Sequence, residues 1–209
     1  MEFFDFVFPK VGLVCVVEME EKRAPKHTWF QENERAKAIK YMMDLDAAGV
    51  TVYFGQASFD RDKLSAAKFN NSQIPRNLPK AEYKKRHIRE RSQENALFMR
   101  SFFLDIDVGD DDKKYATQEL AFEDMVRFCK EAGFPMPTMC NSGNGLYAWW
   151  HLDQDIDARV WKGVAQVFKK VLAAYGFKAD PMRTADSASI LRPPGAHNRK
   201  TKPTQRKLR

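Results

Sequence analysis

The chain has 209 residues, 44% of them hydrophobic and 30% charged, with a formal net charge of +7. That size suits one domain, or a two-lobed one, with a sizeable core, and the composition excludes a disordered or collagenous chain. Surplus positive charge points to polyanionic partners, nucleic acid or nucleotides, and three scattered cysteines without a C-x-x-C pair argue against a disulfide framework or a zinc site.

In chain order, Gly12 to Met19 is a β-branched run that predicts a strand, and Thr28 to Phe30 a second, shorter one. Glu32 to Ala48 has helical character, with Ala36, Ile39, Met43 and Ala47 as its inward stripe and Gly49 as its stop. Val50 to Phe59 predicts the next strand. From Arg61 to Arg100 the composition turns basic and polar, broken by Pro75 and Pro79. Its densest run holds Lys80, Lys84, Lys85, Arg86, Arg89 and Arg91, with Tyr83 and His87 at helical spacing among them. Such a run reads either as a solvated helix or loop, or as a surface that follows a phosphate backbone with an aromatic available for stacking.

Ser101 to Val108, SFFLDIDV, predicts the central strand. Alternation places Phe103, Asp105 and Asp107 on one face and Phe102, Leu104, Ile106 and Val108 on the other. The two carboxylates then lie roughly 7 Å apart along the strand, within reach of one bridging divalent cation or a pair. Acids on an apolar strand cost stability unless something neutralises them, although a strand end opening into the acidic loop 109–112 gives the same pattern. Ala116 to Ala132 reads as a helix with Phe122, Val126 and Cys129 inward and Gly133 at its end. The turn Asn141–Gly145 follows, then a strand from Leu146 to Leu152. Asp155 or Asp157 caps a further helix carrying Val160, Val164, Phe168, Val171 and Tyr175 inward, ended by Gly176. The chain closes with Thr184 to Lys200 and a basic tail. The alternation of strands and helices predicts mixed α/β layers.

Three groups in the second half carry chemistry. The first is the Asp105/Asp107 pair. The second is Ser142, Gly143, Asn144 and Gly145, where glycines admit a phosphate close to backbone amides and Ser142 and Asn144 add side-chain hydrogen bonds, unless the turn is only a hairpin connection. The third is Asp186 followed by Arg192, Pro193, Pro194, Gly195, Ala196, His197, Asn198, Arg199 and Lys200, a stiffened basic turn. Acids for metal, a loop for phosphate and fixed cations for a triphosphate are the parts that phosphoryl transfer needs.

The order F-L-D-I-D-V, then S-G-N-G-L before an aromatic strand, then D-x-x-x-I-L-R-P-P-G-x-x-N-R-K resembles the archaeo-eukaryotic primase superfamily, above all the primase-polymerase domains of phages, plasmids and other mobile elements. The match covers residues 97–200; residues 1–96 fit only in general layout. The resemblance implies an α+β primase fold with an RNA-recognition-motif-like catalytic half, an N-terminal lobe over about 1–96, and a single catalytic domain cut from a longer protein. It implies template-directed joining of NTPs or dNTPs on single-stranded DNA, with Mg²⁺ or Mn²⁺ held by Asp105, Asp107 and Asp186, and with Asp180 as a less favoured substitute for the third acid. The nucleotide would meet Ser142, Gly143, Asn144, Gly145, Tyr147, Arg192, His197, Asn198 and Lys200. The family's second motif usually continues S-G-x-G-x-His. Tyr147 stands at that histidine position here, and His151 shares its face roughly 13 Å further along. Lys84, Lys85, Arg86, Arg89 and Arg91 are the expected DNA contacts. Many relatives carry a helicase, an expected partner domain or subunit. With no signal peptide and no long apolar run, the expected location is the cytoplasm. The alternatives are a non-catalytic DNA- or origin-binding replication-initiation module of the same fold, and a rolling-circle-type nuclease using Tyr147, whose usual His-hydrophobe-His motif is missing.

Overall fold

The computed structural model describes residues 2–21 and 23–199. Two four-stranded antiparallel sheets form its frame. A short helix α1 (Glu2–Val7) precedes β1 (Val14–Met19) and β2 (Lys26–Phe30); α2 (Arg35–Ala47) leads to β3 (Thr51–Gly55) and β4 (Ala57–Phe59). Helices α3 (Arg61–Ser72) and α4 (Lys80–Arg86) carry the basic segment. Then come β5 (Ala96–Ile106), α5 (Gln118–Ala132), β6 (Thr138–Asn141), β7 (Leu146–Asp157), α6 (Ala158–Ala174) and β8 (Ile190–Leu191). The first sheet has the order β2-β1-β3-β8 and the second β4-β5-β7-β6.

The run 50–59 is not one strand. It changes sheets at Gln56, which is fully buried, donates its amide to the Ser189 carbonyl at 3.1 Å and accepts from Trp149 Nε1 at 2.9 Å. The sheets therefore do not divide at residue 96: β4 pairs with β5, and β8 returns to pair with β3. From β5 onward the order strand–helix–strand–strand–helix–strand holds, but its last strand leaves for the other sheet.

One core lies between the sheets, where Val14, Val16, Phe54, Phe103 and Trp149 meet α1 and α2. A second lies beneath the other face of β5 and β7, where Leu104, Ile106, Ala148 and Trp150 meet α5 and α6. The helices present stripes that overlap only in part with those their spacing predicts: Cys129 and Phe168 are buried as expected, and Ile39 and Val171 pack at the core edges. On α2 Ala38, Met42 and Asp46 are buried, while Ala36, Met43 and Ala47 are exposed. On α5 Ala121, Met125, Phe128 and Cys129 are buried, while Phe122 and Val126 face out. On α6 Trp161, Ala165, Phe168 and Leu172 are buried, while Val160 and Val164 face out. Each helix carries apolar residues on more than one stripe, and the sheet that covers it decides which is buried. Thr117 Oγ1 and Asp157 Oδ1 cap α5 and α6, and Gly133, at φ 72°, ends α5 in the left-handed region. Asp155 does not cap; it accepts from Arg100 at 2.8 Å.

Candidate active site

Register brings the motifs together. In the β5–β7 ladder Asp105 stands opposite Tyr147 and Phe103 opposite Trp149, all turned toward the first sheet, while Leu104 and Ile106 face the helices. β5 ends at Ile106; Asp107 lies one residue past it and is exposed, and Val108 only bridges to Tyr115. β8 carries the third motif to the same place: Leu191 pairs with Phe54 of β3, and the chain leaves the sheet at Arg192.

The glycine turn connects β6 and β7, and its geometry corrects the expected role of its amides. Ser142 N donates to Gly145 O at 2.9 Å, Gly145 N to Ser142 Oγ at 3.2 Å and Gly143 N to Asn141 Oδ1 at 2.6 Å. These three N–H groups are spent inside the turn. The glycines instead permit close approach. A Cβ on Gly145 would lie 2.1 Å from the Ile106 carbonyl oxygen, and one on Gly143 2.4 Å from Asn198 Cβ. Asn144 Nδ2 donates to Val108 O at 3.0 Å. The turn is thus pressed between the end of β5 and the C-terminal motif.

Arg192 locks that arrangement. It is 5% exposed; Nη1 donates to Ser142 O at 2.5 Å, and Nη2 to Asn198 Oδ1 at 3.0 Å and Tyr53 Oη at 3.2 Å. Its guanidinium lies 5.3 Å from the Tyr53 ring centroid. Tyr147 is 5% exposed, and its hydroxyl meets the Arg192 backbone amide. Burial, reinforced by the Asp105 charge, pushes that phenol up to about 12.

Asp105, Asp107, Ser142, Asn144, Tyr147, Arg192 and Asn198 all line one cavity of about 320 Å³, together with Tyr53, Asp180 and Arg183. Other clefts are larger, but this one gathers the sequence motifs. Burial raises Asp105 to about 6, against the pull of Arg183 and with a smaller push from Asp107 and Asp180. Arg183 Nε sits 3.1 Å from Asp105 Oδ2 and 3.2 Å from Asp180 Oδ2, and its Nη1 donates to Ile190 O at 2.9 Å. The Asp180 amide donates to the Asp105 carbonyl at 2.8 Å, which pins the two acids side by side.

Other expected residues stand elsewhere. Asp186 is not among the lining residues: its Oδ1 accepts from the Ala188 amide at 2.9 Å, and the third carboxylate of the cavity is Asp180. His197 turns to α2, where its amide and Nδ1 meet Asp46 at 3.0 and 2.8 Å, and Arg199 pairs with the same carboxylate. This segment ties the C-terminal motif to the fold. Arg91 also points inward, donating to the Ala188 carbonyl, whereas Lys84, Lys85, Arg86 and Arg89 are exposed. Arg86 pairs with Glu82 at 2.6 Å. Lys200 lies outside the described residues. His151 belongs to a different cleft, with Phe3, Phe6 and Arg100. Sequence reading missed Arg183 and Tyr53. The Asp180–Arg183 spacing of three was the available signal for the first; the second depends on the β3–β8 pairing.

The donor set suits a hard divalent cation in kind. Asp105 and Asp107 offer carboxylate oxygens, and a guanidinium already stands as a cation against Asp105 and Asp180. Among the described residues no three potential ligands are gathered in metal-binding spacing. Magnesium characteristically takes one or two carboxylates and completes its shell with water and substrate phosphates.

No protein-family model and no curated protein matches the sequence. Solved structures do match. The primase-polymerase (PrimPol) AEP domain of cyanophage S-2L superposes with a TM-score of 0.53 at 12% identity, over 91% of this chain and 77% of that one. The fold is that of an archaeo-eukaryotic primase. The primase RepB′ superposes on this primase fold with a TM-score of 0.51 at 14% identity, over 96% of this chain and 50% of that one. Among the described residues, no helix is long and apolar enough to cross a membrane.

Proposed function

We propose that the chain is the catalytic domain of a DNA primase-polymerase, joining nucleotides on a single-stranded DNA template by metal-dependent nucleotidyl transfer. The observation that carries this reading is the meeting of Asp105 and Asp107, the 142–145 turn, and Arg192 with Asn198 at one cavity. A bound Mg²⁺ or Mn²⁺ would supply charge neutralisation and Lewis acidity while the primer 3′-hydroxyl attacks the α-phosphate and pyrophosphate leaves. Asp105 and Asp107 would hold it, with Asp180 rather than Asp186 as the neighbouring acid. Arg192 provides fixed positive potential: it is buried, and its Nε has no hydrogen-bond partner. Ser142, Asn144 and Asn198 present polar groups on the same wall, where a phosphate or sugar would rest. Tyr147, held against the Arg192 amide, positions that wall and carries no charge. The exposed cations of α4 face a template backbone.

The test is extension of a primed single-stranded template in Mn²⁺ or Mg²⁺. Wild-type chain extends it, and Asp105→Asn and Asp107→Asn each abolish extension while template binding persists. One observation favours a second reading, a non-catalytic DNA-binding module: Arg183 holds Asp105 where a cation would bind. Template binding without extension by the wild-type chain would establish that module. A buried phenol raised to about 12 makes Tyr147 a poor nucleophile, which argues against the nicking enzyme.

A further inference from the structure

Helices α5 and α6 cover the same face of β5 and β7 and are joined where Arg127 Nη2 donates to the Tyr175 carbonyl at 2.9 Å. Their outer faces are open to solvent. Six of the fifteen large apolar side chains exposed among the described residues stand on them: Leu120, Phe122 and Val126 on α5, and Val160, Val164 and Val167 on α6. Single exposed apolar residues need no explanation, whereas rows of them mark an interaction surface. On α6 the spacing of four and three makes the valines one stripe, 62%, 49% and 59% exposed. Valine loses rotamer freedom in a helix, so three on the solvent side oppose helix formation rather than support it.

The charges beside the two rows are of opposite sign. From Ala158 to Ala179 the chain holds Arg159, Lys162, Lys169, Lys170 and Lys178 and no acid. On α5 the apolar row is flanked by Glu119 and Glu123, both exposed. Arg127 is spent on Asp124 and Glu131 at 2.6 Å each, which leaves Lys130 as that helix's other cation. Among the described residues, Glu119, Glu123, Lys169 and Lys170 form no ion pair within the chain. A layer with an acidic apolar row on one helix and a basic apolar row on the next is complementary to a second copy of itself. We infer that the outer faces of α5 and α6 are the interface of a two-fold homodimer, with α5 of one protomer on α6 of its partner and the reverse. Phe122 and Val126 then meet the valine stripe, and Glu119 and Glu123 face Lys169 and Lys170. Both contacts form at once, so the assembly closes at two copies instead of growing into a filament. An unrelated acidic partner would cover α6 and leave the row on α5 open. The layer lies on the face of β5 and β7 opposite Tyr147 and Trp149, so dimerisation leaves both cavities accessible.

Sedimentation equilibrium of the full chain at micromolar concentration tests this. The wild type should sediment at twice the monomer mass. Val164→Asp should weaken dimerisation at least about tenfold by placing a charge in the apolar contact. Glu119→Lys with Glu123→Lys, and separately Lys169→Glu with Lys170→Glu, should each do the same. Mixing these two double variants should restore a dimer, because each then meets opposite charge at both contacts. All five positions are exposed, and circular dichroism should show the fold intact. A monomeric wild type, a dimer that Val164→Asp leaves unaltered, or double variants that do not recover on mixing would overturn the inference. A mass that climbs past two chains with concentration would overturn the two-fold arrangement.

Discussion

Asp105 carries both the proposed chemistry and a cost. Its folded-state value of about 6 lies above the ordinary 3.8, so the fold favours the protonated acid. Below the unfolded value the acid is protonated in both states and exacts no penalty. As pH rises from there through about 6, the folded chain holds a proton that the unfolded chain has released, and metal-free stability falls, by up to about 3 kcal/mol. Asp105→Asn should therefore melt higher than wild type at pH 7.5 without metal, show no gain at pH 3, and lose extension; equal melting at pH 7.5 would contradict the account. Arg183 partly offsets the same cost by pairing with Asp105 and Asp180. If its guanidinium stands where a cation binds, Arg183→Gln should bind Mn²⁺ more tightly in a paramagnetic-resonance titration. Affinity equal to or below wild type would show that the two do not compete.

At the scale of elements, the 142–145 turn is a spacer set by what touches it. Gly145→Ala forces a Cβ against the backbone oxygen of Ile106, which cannot yield as a side chain would. The expected loss is at least about 3 kcal/mol by thermal or denaturant unfolding, with extension abolished. Gly133→Ala is the contrast. It ends α5 in left-handed geometry but meets nothing within 4 Å, so it should cost only the conformational penalty, about 1–2 kcal/mol, and spare activity. A Gly145→Ala protein as stable as Gly133→Ala would mean that the turn moves freely off β5.

Across the whole molecule, the cationic surplus is concentrated on one segment, while the acids of the cavity lie at the end of β5 and in the segment between α6 and β8. Replacing Lys84, Lys85 and Arg89 by alanine should flatten the salt dependence of single-stranded DNA binding by about 0.7 per lost phosphate contact. Arg91→Ala should behave differently, lowering the melting temperature through loss of its inward bond to Ala188 and changing the slope little. An unaltered slope in the triple variant would make the run a solvated face.

The sequence by itself determined the strands around Asp105 and Tyr147, the Gly133 end of α5, an aspartate cap on α6, the basic segment and the order of three motifs, because these are local patterns of alternation, glycine and charge. Its resemblance to primases anticipated the fold that the solved structures share. It could not decide which of two neighbouring apolar stripes on α2, α5 and α6 turns inward, since periodicity defines a stripe only up to the partner that covers it. Nor could it show that residues 50–59 cross between sheets at Gln56, or that β8 returns to β3 and delivers Arg192 to the 142–145 turn. The choice of Asp180 over Asp186 in the cavity, and the turning of His197 and Arg91 away from it, were decided by contacts between residues tens of positions apart. Such contacts exist only once the two sheets have closed on each other.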